Sequence, residues 1–567
     1  MACLGILAAA FLGAVAFITY FHHGEHHLHG ASYFIQFLVA CGISTAYLTW
    51  RQEYTFSESI QTTIRTAISF LAGLYITASS TVSVPSIHSI DSQGPQVPES
   101  AVSGSSFKSD NGNKRISLSS PPIENMVQSF VPKALKKIHD TGRKAPFYDI
   151  NKPITSIQTT RDEDLHKQRR KLWGSAFEKT RLPYYEASIH EIHANLLARI
   201  DRDSKDEDDG LVNVTRLINH YAFDVMGKVA YGTDFDMLGT GKSHKAIDML
   251  NESMALIGFM LPIWLIRVAA AIPGLTRKWS KFVAYCFEQM ENCRLKPDSP
   301  VIASSLLSPC KDRELTPAEK RVLHGEAQLL VVAGSDTTSA AIVCALYKLA
   351  LNPQITVELR EAISASLPVD ETEIRAQHIK GIDILNGIIN ETLRLYPPIP
   401  TALWRLTPAE GVWIDEETYI PGNVVVSTPH YVLGRSEDLY ERPDDFIPER
   451  WYSKREMIKY EDSFAPFTIG KEIPFFLNKP KVTTNTNHNS VAPDIGSYSC
   501  VGRPLAMLNL RMTLAKLIHT YDISLPSSMT MEEVQAAMEG SMKDNFTLMP
   551  GQLNLIFKRR NMARAGP

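Results

Sequence analysis

The chain has 567 residues, 44% of them hydrophobic and 21% charged, with a formal net charge of -3. That length holds one large domain with an anchor or several small domains, and the charge balance excludes a basic nucleic-acid binder and an acidic solvating tail. The seven cysteines (Cys3, Cys41, Cys286, Cys293, Cys310, Cys344, Cys500) are odd in number and form no CxxC pair, which argues against a disulfide framework or a zinc ribbon and for a reducing compartment.

Residues 1–84 are a separate material. Cys3–Tyr20, Tyr33–Leu48 and Ile64–Val84 are apolar and nearly free of charge, each close to the ~20 residues that cross a bilayer as a helix. They predict a membrane anchor of one to three spans. The first lacks the basic start of a signal peptide, and two more follow it. Between the first two lies a histidine run, His22 to His29, which has no Cys or Asp ligand beside it and reads as a polar interfacial loop. From 85 to 130, Ser, Pro, Gly and Asn dominate without apolar periodicity, so this region reads as linker-like or disrupted.

Residues 131–567 read as mostly α with small β-sheets. Asp164–Phe177, Ile189–Ile200 and Leu217–Tyr231 carry helical patterns, and apolar Met254–Leu275, interrupted by Pro262, Arg267 and Pro273, suits a buried or membrane-touching helix pair. Thr316-Pro317-Ala318-Glu319 gives an N-cap, a proline at the first helical position and a glutamate at N3. It opens a long helix to Ala350 that Asn352-Pro353 stops. A further helix, Ile382–Tyr396, ends at Pro397-Pro398. Strand signals appear near Val412–Ile414, Val424–Ser427 and Phe546–Phe557, the last around a Pro550-Gly551 turn.

Cys500 stands before an apolar helix face formed by Leu505, Leu508, Met512, Ala515 and Ile518. Taken alone, a buried cysteine there is more often packing than chemistry. However, Phe464-Ala-Pro-Phe467-Thr-Ile-Gly470 and Cys500-Val-Gly502-Arg-Pro-Leu-Ala506 resemble the two halves of the haem-ligand loop, FxxGxxxCxG, of the cytochrome P450 family. Here 26 residues, Lys471–Gly496, separate the halves. Without them the chain reads Phe467-Thr-Ile-Gly470-Ser497-Tyr-Ser-Cys500-Val-Gly502, at the family spacing. Gly470-Lys471 can be encoded by GGTAAG, which contains a splice donor, and Ile495-Gly496 by ATAGG, which contains an acceptor. An unspliced intron therefore explains 471–496 better than a surface insertion, which would loosen a site that must hold tight geometry.

Three further resemblances are intact. Glu391-Thr-Leu-Arg394 places opposite charges at i and i+3 and resembles the family's ExxR pair, with Pro448-Glu-Arg450 as the third member of a structural charge triad. Ala333-Gly-Ser-Asp336-Thr337-Thr338 resembles the AGxDT segment, where the helix opens over the iron. On that resemblance Asp336 brings protons in from solvent and Thr337 hands them to the dioxygen being split, whereas mid-helix hydroxyls otherwise bond the i-4 carbonyl and bend the helix. His166-Lys-Gln-Arg-Arg170 and Arg405 resemble the positions that bind the haem propionates.

The resemblance implies the P450 fold preceded by N-terminal transmembrane helices, and haem b with Cys500 as axial ligand to the iron, supported by Phe467 and Gly502. It also implies an NADPH–cytochrome P450 reductase as electron donor and a catalytic domain on the cytosolic side of the endoplasmic reticulum. The expected activity is insertion of one oxygen atom into an apolar organic substrate, in fungal secondary metabolism by analogy. The pocket is expected under Leu330–Thr338 and Ile399–Leu403, with Met254–Leu275 shaping its entrance. Two alternatives stay open: a catalytically impaired membrane protein, if 471–496 and the 85–130 region are real, and a haem-thiolate isomerase or dehydratase. The family's first sheet-and-helix region is not recognisable in residues 85–130.

Overall fold

The computed structural model describes residues 134–206, 210–257, 274–295, 300–310, 313–368, 373–401, 403–468 and 498–560, the backbone of 116–117 and 126–129, and isolated further positions. The predicted anchor, the 471–496 segment and much of Met254–Leu275 lie outside these residues.

In chain order, strands β1 (Ile116–Ser117) and β2 (Met126–Ser129) precede helix α1 (Ala134–Thr141) and strand β3 (Arg143–Lys144). Helix α2 (Glu163–Ala176) starts at Asp162, whose carboxylate accepts from the N–H groups of Asp164 and Leu165, two donors that an unmodified helix start leaves unpaired. Helix α3 (Leu182–Asp206) leads to strand β4 (Leu211–Asn213). Asn213 caps helix α4 (Val214–Tyr231), which ends on Gly232 at φ 68, the left-handed stop that glycine adopts without strain. Helices α5 (Lys245–Ile257) and α6 (Arg277–Arg294) follow.

Helix α7 (Pro317–Leu351) is 35 residues long and begins with the predicted Thr316–Glu319 capping box. Helices α8 (Pro353–Ser366) and α9 (Asp383–Leu395) lead to four short strands, β5 (Arg405–Leu406), β6 (Val412–Trp413), β7 (Tyr419–Ile420) and β8 (Val425–Ser427). Helix α10 (Arg503–Thr520) runs into strand β9 (Tyr521–Ser524). Helix α11 (Met531–Met538) and strands β10 (Lys543–Asn545), β11 (Thr547–Met549) and β12 (Asn554–Arg559) close the chain.

The largest sheet has the order β1-β2-β8-β5-β3. Two of its strands come from residues 85–130, where the sequence offered no strand; the expectation that this part of the first sheet is unrecognisable is corrected by the pairing of Met126 with Val425 and Gln128 with Ser427. The strand signal around Pro550-Gly551 divides there: β11 pairs with β10, whereas β12 lies between β4 and β9. The main core packs α3, α4, α7, α9 and α10 together. Among the described residues α7 is the one helix long and apolar enough to cross a membrane, and most of its apolar window is buried in that core.

Candidate active site

Cys500 exposes its own surface although the fold encloses it closely enough for burial to raise its thiol pKa. Both hold if the exposed face opens onto an internal recess. The backbone N–H groups of Gly502 and Arg503 and the charge of Arg170 oppose that rise, since each favours the thiolate. The Cys500 N–H donates to the Phe467 carbonyl at 2.9 Å, and the Arg503 guanidinium lies 5.7 Å from the centre of the Phe467 ring. Gly502 has φ -79, and a Cβ there would meet the Cys500 sulfur at 3.9 Å. Space and backbone angle both tolerate a side chain at 502; what the position supplies is its N–H.

Mid-way along α7, Ala333 is exposed, and Gly334, Asp336 and Thr337 are half-buried, between fully buried turns on either side. The Thr337 hydroxyl donates to the Ala333 carbonyl at 2.6 Å, the i-4 bond that a mid-helix threonine makes by default. The helix runs unbroken through the segment, so the opening implied by the resemblance is absent here. Gly334 has a packing role, because a Cβ would come within 2.4 Å of the Met226 sulfur on α4. The enclosed Asp336 carboxyl is pushed up to about 7 by burial alone.

Cations gather at the edge of the five-stranded sheet. Lys144 on β3 and Arg405 on β5 are directly paired in the register; like charges so placed repel. Both are buried, at 5% and 2% exposure. Lys144 donates to the carbonyls of Ile157 (2.6 Å) and Thr160 (3.1 Å), and burial followed by the Arg405 charge drives its pKa well below the ordinary lysine value. Arg405 donates to the Trp404 carbonyl, yet its Nε is buried without a partner. Neither side chain pairs with a carboxylate among the described residues. The Tyr498 ring, two residues before Cys500, lies 5.0 Å from Lys144, 5.1 Å from Arg405 and 4.7 Å from the His166 ring.

His166 is held neutral there, its pKa lowered to about 3 by burial and then by Lys144, Arg170 and Arg405. It therefore contributes an N–H group, with no net charge at neutral pH. Arg170 donates to the Ser499 carbonyl and to its hydroxyl, which ties α2 to the cysteine loop. Sequence reasoning placed His166, Arg170 and Arg405 here but missed Lys144 and Tyr498. Lys144 follows Gly142, whose Cβ would meet the Ile138 carbonyl at 2.6 Å; a basic residue just past such a tight turn is the faint signal available. Tyr498 sits in the Ser497-Tyr-Ser-Cys run itself.

Glu391, Arg394 and Arg450 meet in one buried cluster. Glu391 accepts from Arg394 Nε (2.9 Å) and Nη2 (2.8 Å), Arg450 Nε (3.0 Å), Trp451 Nε1 (2.9 Å) and the Ile447 N–H (2.9 Å). All three charged side chains are fully buried. The site fits a haem on its own residues: a recessed sulfur with two N–H groups beside it for the iron, and opposed buried cations with an unpartnered Arg405 Nε for the acidic edge. Lys144, His166, Arg170 and Arg405 would hold the propionates, and Cys500 the iron. A thiolate-bound haem supplies dioxygen activation.

A family model described as Cytochrome P450 matches residues 124–473. The chain is 36% identical over 421 residues to "Cytochrome P450 monooxygenase notG'" of Aspergillus versicolor, covering 74% of this chain and 70% of that protein. It is 31% identical over 580 residues to the tryprostatin B 6-hydroxylase of Aspergillus fumigatus, covering 99% and 97%. Among solved structures, the haem domain of cytochrome P450DA superposes with a TM-score of 0.62 at 17% identity, over 77% of this chain and 88% of that one, a likeness of fold. With the family model matching more than half of the chain and relatives above 30% identity matching most of it, this chain belongs to the cytochrome P450 family and to its monooxygenases.

Proposed function

We propose that this monooxygenase inserts one oxygen atom into an apolar organic substrate of fungal secondary metabolism. The observation that carries the haem site is the buried Lys144–Arg405 pair, opposed across two strands beside Tyr498 and Cys500. Two buried cations facing each other without a carboxylate are costly, and a dianionic ligand edge relieves them. Electrons come from NADPH through a separate reductase. Cys500 is the axial ligand, its anionic form favoured by the Gly502 and Arg503 N–H groups. Asp336, pushed up to about 7, both takes and gives a proton near neutral pH, which suits a relay through Thr337. That relay favours monooxygenation over a haem-thiolate isomerase or dehydratase, which needs no such supply.

The working protein lacks residues 471–496. The supporting geometry is at their borders: the Thr468 hydroxyl donates to the Tyr498 carbonyl at 2.9 Å, and Cys500 already bonds Phe467 across the gap. Joining Gly470 to Ser497 leaves Ile469, Gly470 and Ser497 to connect Thr468 with Tyr498, a short turn at the family spacing. Residues 1–84 anchor the domain in the endoplasmic reticulum membrane, facing the cytosol. Alkaline extraction and protease protection of microsomes test that placement.

The deciding experiment is a reduced carbon-monoxide difference spectrum of the chain with and without 471–496, alongside sequencing of the transcript. A thiolate-type band in the shortened chain is expected; its absence from both forms sinks the haem-thiolate reading and leaves the impaired membrane protein. Because two relatives matching over nearly their whole length are tryprostatin B 6-hydroxylases, tryprostatin B is the first substrate to offer. NADPH-dependent hydroxylation of it supports the pathway; a spectral response only to unrelated compounds redirects it.

A further inference from the structure

One fully buried carboxylate lies outside the machinery described so far. Glu326 sits on α7 with no exposed surface, seven residues and so about two helical turns before Ala333. Its Oε1 accepts from Arg169 Nε (2.8 Å) and from the Ile157 N–H (3.1 Å), and its Oε2 from the Trp173 indole N–H (2.8 Å). Arg169 and Trp173 stand four residues apart on α2, hence on one face. The neighbouring face of the same helix carries His166 and Arg170, which meet Tyr498 and Ser499 of the cysteine loop. Helix α2 is thus bound on one side to the cysteine loop and on the other to the helix that holds Asp336.

The third donor extends this connection. A Cβ on Gly325 would meet the Thr155 carbonyl at 2.1 Å, so glycine lets segment 155–157 lie flat against α7 and bring the Ile157 N–H to Glu326. The Ile157 carbonyl accepts from Lys144. One carboxylate therefore joins α7 to two parts distant from it in sequence, the helix of His166 and Arg170 and the segment just before that helix, which carries Lys144's acceptors.

We propose that Glu326 is a positioning residue for the haem edge, fixing through Arg169, Trp173 and Ile157 where His166, Arg170 and Lys144 stand relative to α7. The proposal rests on the haem-site reading above. Its mechanism is the rigid placement of groups around a ligand, the kind of outer contact whose loss costs ten- to a hundredfold in metal-site affinity. Gln is nearly isosteric with Glu but sets an amide N–H₂ against one of the present donors. With its oxygen retained by Arg169 and Ile157, that amide confronts the Trp173 N–H, two donors face to face.

The test compares haem loss to apomyoglobin from the full chain, or its form without 471–496, in the unsubstituted, E326Q, W173F and E326Q/W173F proteins, with thermal unfolding of each apoprotein measured in parallel. E326Q is expected to lose haem about tenfold faster. W173F, which removes a single donor, is expected to lose it about threefold faster, and E326Q/W173F to recover towards the W173F rate because the clashing donor is gone. Should E326Q fail to fold, W173F alone decides: haem loss unchanged from the unsubstituted protein overturns the proposal. It is likewise overturned if E326Q loses haem at the unsubstituted rate, or if the double variant is no better than E326Q. An unsubstituted chain without a thiolate band removes the haem-site reading itself.

Discussion

At the scale of single residues, Asp336 couples the site to pH. Its carboxyl is raised from the ordinary 3.8 to about 7 by burial, so the folded state holds this proton more tightly than the unfolded chain. That contribution to stability is complete below about pH 4 and is lost as pH climbs through about 7. Asp336→Asn, which does not ionise, should therefore melt progressively higher than the unsubstituted apoprotein as pH rises from about 4 to about 7, with no further widening above that, while turnover falls. Melting curves across that range check the sign; a gap that closes with rising pH contradicts it. Glu391→Ala leaves Arg394 and Arg450 buried without their shared acceptor, a loss of about 3–5 kcal/mol that urea unfolding should register. The triad was legible because Glu391 and Arg394 are adjacent on one helix and Arg450 follows at a family distance. Lys144 was not, because its meaning arises only from the register that sets it opposite Arg405, across strands of two residues each.

Among elements, legibility followed length. The capping box at Thr316, the stop at Asn352-Pro353 and the helix expected over Ile382–Tyr396 were all written locally, and the structure reproduces them within a residue or so. The two-residue strands carry too few side chains for a period to show, and β11 and β12 part company because their partners lie elsewhere in the chain. The apolar stripe read on α10 is correct but partial. Leu505, Leu508, Met512, Ala515 and Ile518 are buried, and so are Asn509 and Thr513 on the same helix. Their partners come from two other helices: the Tyr221 hydroxyl donates to Asn509 Oδ1 at 2.6 Å and lies 2.7 Å from Thr513 and 3.1 Å from His193. Periodicity within one helix cannot report such a contact. Tyr221→Phe should cost about 1–3 kcal/mol by stranding those groups, without altering the carbon-monoxide band, since the network lies behind the cysteine loop rather than in it.

For the whole molecule, the family and the mostly helical class with small sheets were both evident from motifs spread across the chain, and the comparisons agree. What the motifs did not convey is how directly the borders of 471–496 meet. Deleting that segment should raise the unfolding midpoint or leave it unchanged, since a shorter closed loop costs less entropy; a marked fall would mean the segment packs against the domain. The 35 residues of α7, at 1.5 Å each, run for about 52 Å through the main core. Such a helix opens only when the core around it opens. Its fully buried run from Ala340 to Tyr347 should therefore hold amides among the last in the protein to exchange with deuterated solvent, while the exposed turn at Thr316 exchanges early. The same helix that carries Asp336 thereby sets the slowest clock in the molecule.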